Sequence, residues 1–301
     1  MEPKPWPGQP LGALICPVCA GSFSFTAEGT AGVACESGHR FDRSRHGYLN
    51  LITGSSSKFT PDSASMVRAR ASFLASGHFE PLVEGLDRAF ADFAPQPGAN
   101  PLIVDAGCGT GHYLAGLLRG AASGYPAIGL DLSPEALRHA VRANPGMLAL
   151  VWDLWRPLPL AADSADALFV VFAPRNIDEF HRVLRPDGLL VIATPLPEHL
   201  SGLPALDGRL GQQPEKQAAL AAAVEGRFTS LAETEIRVAA TLHNAEAKDL
   251  LLMGPTGHHL DPEALRAMDQ AEYRVHFGFR ISAFRPLPTP TDPPVLRLPG
   301  R

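Results

Sequence analysis

Only four cysteines occur in 301 residues, too few for a disulfide-stapled secreted scaffold, and this usage points to a reducing compartment. No apolar run reaches the length of a membrane-spanning helix. The N-terminus, with Glu2, Lys4 and several prolines, lacks the apolar stretch of a secretory leader. These absences predict a soluble, cytoplasmic protein with no membrane partner. Basic charge is not in surplus either: 26 Lys and Arg against 31 Asp and Glu leave a formal net charge of -5. That excludes a general electrostatic pull on nucleic acid, so any such partner has to be met by a local patch. What the chain does have is apolar content, 45% of residues, enough for one substantial core plus a small appendage.

Three of the four cysteines gather near the N-terminus. Cys16-Pro17-Val18-Cys19 is followed after 15 residues by Cys35-Glu36-Ser37-Gly38-His39, a C-x2-C and C-x3-H pattern. Three thiolates and an imidazole at this spacing fit a closed tetrahedral zinc site with no open position. Gly21 and Gly38 stand where chain turns around ligands need them. The segment is too short to bury much apolar surface, so metal binding contributes directly to its folding. Ordinary buried thiols or a disulfide pair are the alternative. Cys108 lies far downstream, in an unrelated glycine loop.

The chain divides into a flexible tail over 1–12, a zinc-binding module over 13–57, a helical connector over 58–98, a larger domain over 99–286 and a proline-rich tail over 287–301. Asp62 or Ser63 can cap the first connector helix, with Gly77 as its stop. Leu82, Val83, Leu86, Phe90 and Phe93 mark the apolar stripe of a second helix. From residue 101 short apolar strands alternate with helices. Strands are expected at Leu102–Asp105, Ala127–Asp131, Leu168–Phe172 and Leu189–Ala193, and Ser133-Pro134-Glu135 reads as a helix start. This rhythm predicts an α/β, doubly wound, Rossmann-like sheet. Farther on, Glu215–Val224 and Ala245–Met253 read as helices, and Tyr273–Ile281 as a strand with a late sheet partner.

The first crossover reads Asp105-Ala106-Gly107-Cys108-Gly109-Thr110-Gly111, with His112 standing where a dinucleotide fingerprint has its third glycine. NAD is therefore disfavoured. Asp131 closes the second strand and can accept from both hydroxyls of a ribose. Asp153, in Val151-Trp152-Asp153-Leu154-Trp155, can accept from an adenine amino group. S-adenosylmethionine uses all of these features, with Asp105 near its ammonium, Gly107, Gly109 and Gly111 letting its methionine part approach, and His112 at the loop mouth. The plain alternative for each aspartate is a strand or helix cap.

Further motifs extend the pattern: His46-Gly47-Tyr48-Leu49-Asn50-Leu51, Asp62–Arg70, Ser76–Leu82, Val171-Phe172-Ala173-Pro174-Arg175-Asn176 and Met253-Gly254-Pro255. With the zinc pattern and the glycine loop, the chain resembles the 23S ribosomal RNA (guanine-N1) methyltransferases, on the side of their actinobacterial tylosin-resistance branch. The resemblance covers most of the chain. It implies a Rossmann-like class I S-adenosylmethionine-dependent methyltransferase domain with a small N-terminal zinc-binding domain that recognises RNA. It also implies a hairpin loop of 23S rRNA at the peptide exit tunnel as substrate, an effect on macrolide binding, and dimerisation as an option. Thr256-Gly257-His258-His259 and Leu206–Gly211 depart from the family pattern.

Guanine N1 carries a proton, so its methylation needs deprotonation or a tautomeric shift, and an in-line approach of N1 to the methyl carbon. The pocket wall is expected at Phe172-Ala173-Pro174-Arg175-Asn176, where a flipped base can stack on an aromatic ring. Arg175 is a candidate for phosphate or the guanine O6, and Asn176 for hydrogen bonding to the base. His46, His78 and His112 can be read as structural or catalytic, and no general base is assigned. Arg40, Arg43, Arg45, His46 and Tyr48 form a basic, aromatic-bearing stretch after the last zinc ligand, which Lys58, Arg68 and Arg70 extend toward the cleft. A methyltransferase of a small natural product, or a domain that binds without turnover, are the competing readings.

Overall fold

The computed structural model describes residues 10–26, 32–54, 57–203, 213–254 and 265–288, with the backbone alone for 213–217. The departures at 206–211 and 256–259, the family proline Pro255, and the greater part of both terminal tails lie outside the described residues. A 3-10 turn at Pro10–Ala13 opens the described chain and buries Leu11. Strands β1 (Phe23–Phe25), β2 (Gly32–Cys35) and β3 (Arg40–Asp42) then form a small antiparallel sheet in that order.

After strand β4 (Tyr48–Asn50) come two helices, α1 (Ala64–Ala75) and α2 (Glu80–Phe93). Ser63 caps α1, its Oγ accepting from the Met66 N–H at 3.3 Å, and Gly77 follows at φ +83° to turn the chain. The alternating part then runs β5 (Ile103–Ala106), α3 (His112–Arg119), β6 (Ala127–Asp131), α4 (Pro134–Ala143), β7 (Leu148–Val151), β8 (Ala165–Val171), α5 (Ile177–Val183) and β9 (Leu184–Pro195). It ends with α6 (Gln213–Val224), β10 (Phe228–His243), α7 (Asn244–Met253) and β11 (Glu272–Pro286).

The large sheet has eight strands in the order β10-β11-β9-β8-β5-β6-β7-β4. Strands β4 to β9 pair in parallel, while β10 and β11 run antiparallel at one edge. The chain winds outward from β5 through β6 to β7, then returns to β8 on the other side of β5. The switch point lies between β5 and β8, and ligands of such sheets bind beyond the carboxyl ends of the strands there. The expected strands all appear. The late strand is longer than its sequence signal, because β11 pairs β10 over fifteen registered positions with α7 inserted between them, rather than through a tight hairpin.

Side chains of the central strands alternate between two cores, as the pleat requires. Ile103, Ala127, Ala149, Ala167 and Phe169 face α1, α2, α3, α4 and α7 through Phe73, Leu82, Leu114, Leu137 and Leu250. Val104, Ile128, Leu150, Leu168 and Val170 face the opposite way, against Phe180 of α5, Leu220 of α6 and Leu14, Val33 and Leu49. The last three belong to the zinc-module segment, so that segment serves as part of the covering layer of the sheet. Its strand β4 also completes the sheet edge, pairing Tyr48, Leu49 and Asn50 with Ala149, Leu150 and Val151. Each fully buried Leu or Val there stabilises the docking by about 1.5–3 kcal/mol.

Candidate active site and metal centre

Two chain reversals bring the metal donors together. In the first, the Cys16 N–H donates to the Gly21 carbonyl at 2.8 Å and the Ala20 N–H to the Cys16 carbonyl at 2.8 Å. In the second, the Gly38 N–H donates to the Cys35 carbonyl at 2.9 Å and the Cys35 N–H to the His39 carbonyl at 3.0 Å. The sulfurs of Cys16, Cys19 and Cys35 and a ring nitrogen of His39 all lie within 4.8 Å of one another. Cys19 Sγ is 3.6 Å from Cys35 Sγ, and His39 Nδ1 is 3.7 Å from Cys16 Sγ and 3.3 Å from Cys35 Sγ. A tetrahedron with zinc–sulfur bonds of about 2.3 Å has edges close to these separations. The Ser37 side chain, ahead of the Gly21 backbone, lowers the Cys19 thiol to about 6, which favours the thiolate that a metal needs.

At the carboxyl end of β5 the glycine loop turns with Gly107, Gly109 and Gly111 all at positive φ. A Cβ on Gly107 would stand 2.3 Å from Ala173 Cβ, and one on Gly111 would stand 2.6 Å from Asn144 Nδ2 and 2.9 Å from the Ala140 backbone. Neither position admits a side chain, which keeps the backbone itself as the floor of the cleft. Asp131 braces this loop, one carboxylate oxygen accepting from the Gly109 N–H at 2.9 Å and the other from the Ser133 N–H at 2.8 Å. Asp153, two residues past β7, accepts from the Trp155 N–H at 3.0 Å and from Ser57 Oγ at 2.8 Å.

Asp105 is 2% exposed and, among the described residues, its Oδ2 has no hydrogen-bond partner. Burial, and then the negative charge of Asp131, push its carboxyl up to about 7. A buried carboxylate oxygen with nothing to bind is costly, so the site is set for an incoming positive group. His112 opens α3 with a buried, unpartnered Nε2, and burial holds its imidazole below the ordinary value and neutral.

The segment expected from sequence as the pocket wall lies at the end of β8. Phe172 adopts φ +54°, a left-handed conformation that a bulky residue rarely takes, and is 42% exposed. Its ring lies 6.0 Å from His199, 5.9 Å from Phe279 and 6.4 Å from Tyr113. The neighbouring Ala173 packs on Gly107, so this aromatic group adjoins the glycine loop. Burial pushes His199 down to about 4, and its Nδ1 accepts from the Gly278 N–H at 3.3 Å, which leaves any proton of the neutral ring on Nε2. Arg175 is half-buried and, among the described residues, makes no hydrogen bond or ion pair; burial lowers its pKa. Asn176 turns differently, its Nδ2 donating to the carbonyls of Leu154 at 3.0 Å and Arg156 at 3.4 Å. Both its amide hydrogens thus hold the turn after Asp153.

His78 stacks on Phe73 and pairs with Glu246 at 3.2 Å, tying the turn between α1 and α2 to α7. His46 lies in the turn after β3, where Arg45 donates to its Nε2 at 3.2 Å. Burial and the charges of Arg138, Arg45 and Arg142 lower its pKa, so α4 adds two arginines to the basic stretch. Sequence inspection missed these two, whose only signal is their i, i+4 spacing on α4, and it missed His199, whose segment carries no motif. Arg40, Arg45, Lys58, Arg68 and Arg142 are exposed.

Comparison with known proteins meets the same two regions. A family model described as RlmA, N-terminal, a zinc ribbon, matches residues 14–54, and one described as Methyltransferase domain matches residues 103–188. The 23S rRNA (guanine(748)-N(1))-methyltransferase of Streptomyces fradiae is 37% identical over 279 residues, which cover 91% of this chain and 97% of that protein. A Micromonospora griseorubida protein with a provisional assignment as a 23S rRNA (guanine-N(1)-)-methyltransferase is 39% identical over 289 residues, with coverage of 91% and 97%. The chain belongs to the 23S rRNA (guanine-N1) methyltransferase family. It is an S-adenosylmethionine-dependent methyltransferase with an N-terminal zinc ribbon. YxjB of Bacillus subtilis, with the same provisional assignment, is 32% identical over 248 residues, 80% of this chain and 85% of its own. The residues present fit the family's cofactor: the loop excludes side chains at Gly107 and Gly111, and the orphaned Asp105 oxygen awaits a cation. No described helix is long and apolar enough to cross a membrane.

Proposed function

We propose that this protein methylates N1 of a guanine in a hairpin loop of 23S rRNA at the peptide exit tunnel, with an effect on macrolide binding. The observation that carries the assignment is the exposed Phe172 ring and the half-buried Arg175, unpaired among the described residues, on one turn beside the glycine loop. A half-buried cation without a counter-charge calls for an anionic partner. Phosphate, or a guanine O6 gaining negative charge, supplies one.

When bound, S-adenosylmethionine supplies a methyl group on a positively charged sulfur. Asp105 would face its ammonium, Gly107, Gly109 and Gly111 would admit the methionine part with His112 at the loop mouth, Asp131 would accept from the ribose and Asp153 from the adenine amino group. Phe172 would stack with the flipped base and Arg175 would stabilise O6 as the N1 proton passes to water; the bound cofactor would supply the methyl carbon to N1 and leave as S-adenosylhomocysteine, which keeps the electron pair of the carbon–sulfur bond. Asn176 acts by shaping the 154–156 turn. Residues 13–57 serve as the RNA-recognition module, 58–98 as connector and 99–286 as the transferase domain. Arg40, Arg43, Arg45, Arg138 and Arg142 give the RNA a basic landing surface, and pairing of two chains is the assembly to test by sedimentation.

The deciding experiment is incubation with unmodified ribosomal RNA and labelled S-adenosylmethionine, then nuclease digestion and mass spectrometry. Label is expected on N1-methylguanosine within the tunnel-wall hairpin. Absence of label on free RNA, subunits and assembly intermediates alike would return the assignment to a small-molecule acceptor.

A further inference from the structure

The chain between Ser57 and Arg70 runs along the cofactor cleft, bonding Asp153 and the neighbour of Asp131. Ser57 Oγ donates to Asp153 at 2.8 Å, and the Asp62 carbonyl accepts from Ser133 Oγ at 3.3 Å, next to Asp131. Arg70, one turn before the end of α1, then brings its guanidinium over the glycine loop, with Nη1 3.4 Å from where a Gly109 Cβ would stand. Its head is held from two sides. Nη1 pairs with Asp62 at 2.6 Å, and Nη2 donates to the Met253 carbonyl at the end of α7 at 2.7 Å. Of five guanidinium N–H donors, these two contacts leave the majority for a further acceptor.

Charge says which acceptor. Asp105, Asp131 and Asp153 make the cleft acidic, the Asp62 charge being met by Arg70, which suits the sulfonium, the ammonium and the hydroxyl and amino donors of S-adenosylmethionine. The remaining charged group of that cofactor is a carboxylate, which such surroundings repel. Arg70 brings positive charge to the same loop, close enough to oppose the upward shift that burial imposes on Asp131. Arginine presents a fork of N–H groups that matches a carboxylate, and held in place by Asp62 and Met253 it loses little side-chain freedom on binding.

We propose that Arg70 binds the α-carboxylate of S-adenosylmethionine, fastening the linker that follows the zinc module across the cofactor. The proposal rests on the glycine loop being the cofactor site. Because S-adenosylhomocysteine keeps the same carboxylate and the carboxylate does not react, Arg70 contributes equally before and after transfer. Its loss therefore raises the cofactor KM far more than it lowers kcat.

The test is calorimetry on the full, zinc-loaded chain with S-adenosylmethionine and its decarboxylated analogue, in wild type, Arg70→Ala and Arg70→Gln. Wild type should bind the carboxylate form tighter by roughly 10- to 100-fold, the scale of a hydrogen bond to a charged group. In either variant the preference should shrink to about twofold. Equal weakening of both ligands in the variants, or no preference in wild type, overturns the proposal. The wild-type comparison stands even if one variant fails to fold. Wild type that binds neither ligand would instead refute the cofactor site itself, and the two failures are thereby distinct.

Discussion

The zinc ribbon and the cofactor cleft are both built on turns, yet they hold their shape by different means. The ribbon has strands of three or four residues, and its donors sit on two local reversals closed by hydrogen bonds within six residues. The cleft stands on strands buried on both faces, and its loop is braced from afar: Asp131 lies 22 residues from Gly109, Ser57 lies 96 from Asp153 and Arg70 lies 183 from Met253. A metal concentrates the organising energy at one point, so a few ligands suffice. The cleft spreads it over a sheet, and a single loss there is felt locally.

Removing the metal should therefore have the largest effect. Cys35→Ser, or a strong chelator, should release the zinc and abolish RNA methylation, since apparent binding energies of about 10–16 kcal/mol hold isolated zinc modules folded. The melting temperature should fall as well, because Leu14 and Val33 cover one face of the large sheet and Leu49 belongs to its edge strand. Cofactor affinity should change less than tenfold. Wild type that contains no zinc by metal analysis yet is fully folded would remove the contrast altogether.

The cleft gives the intermediate case. Asp131→Ala takes away the acceptor for the Gly109 and Ser133 N–H groups and, with it, the proposed ribose acceptor. Calorimetric affinity for S-adenosylmethionine should fall by roughly 10- to 100-fold, from a loss of about 1–3 kcal/mol, while zinc content stays at one per chain. An unchanged affinity would count against Asp131 as the ribose acceptor.

The same contrast governs what could be read from the sequence. The four zinc donors were legible because their spacing is local, and the central strands because runs such as Leu189–Ala193 bury on both faces. Asp105, Asp131 and Asp153 were legible as strand ends. Not legible was the engagement of Asn176 with the 154–156 turn, since its partners there are backbone carbonyls, which every residue carries and any of which would satisfy an amide. The joining of β4 to the large sheet was hidden as well: three residues carry no periodicity, and only the parallel register with β7 shows the segment as one more strand. His199 reaches Phe172 only because β11 lies beside β9, a pairing that no nearby residue encodes.

The smallest effect on cofactor affinity should come from one proton. Asp105 has its carboxyl raised to about 7 by burial and then by Asp131, against an ordinary value near 4. Between those values the folded chain keeps a proton that the unfolded chain gives up, so stability without cofactor falls as pH rises from about 4 to 7. The cofactor's ammonium reverses the preference of this group, because it favours the carboxylate. Below pH 7 binding must expel the proton, so affinity should climb by roughly tenfold between pH 5.5 and 7. It should decline again above about pH 8 as the cofactor's own amine deprotonates. Asp105→Asn cannot ionise, so its melting temperature without cofactor should lose the acid-side slope and its calorimetric affinity should stay flat from pH 5.5 to 7. A wild-type affinity that is equally flat would show that the Asp105 proton is not the one displaced.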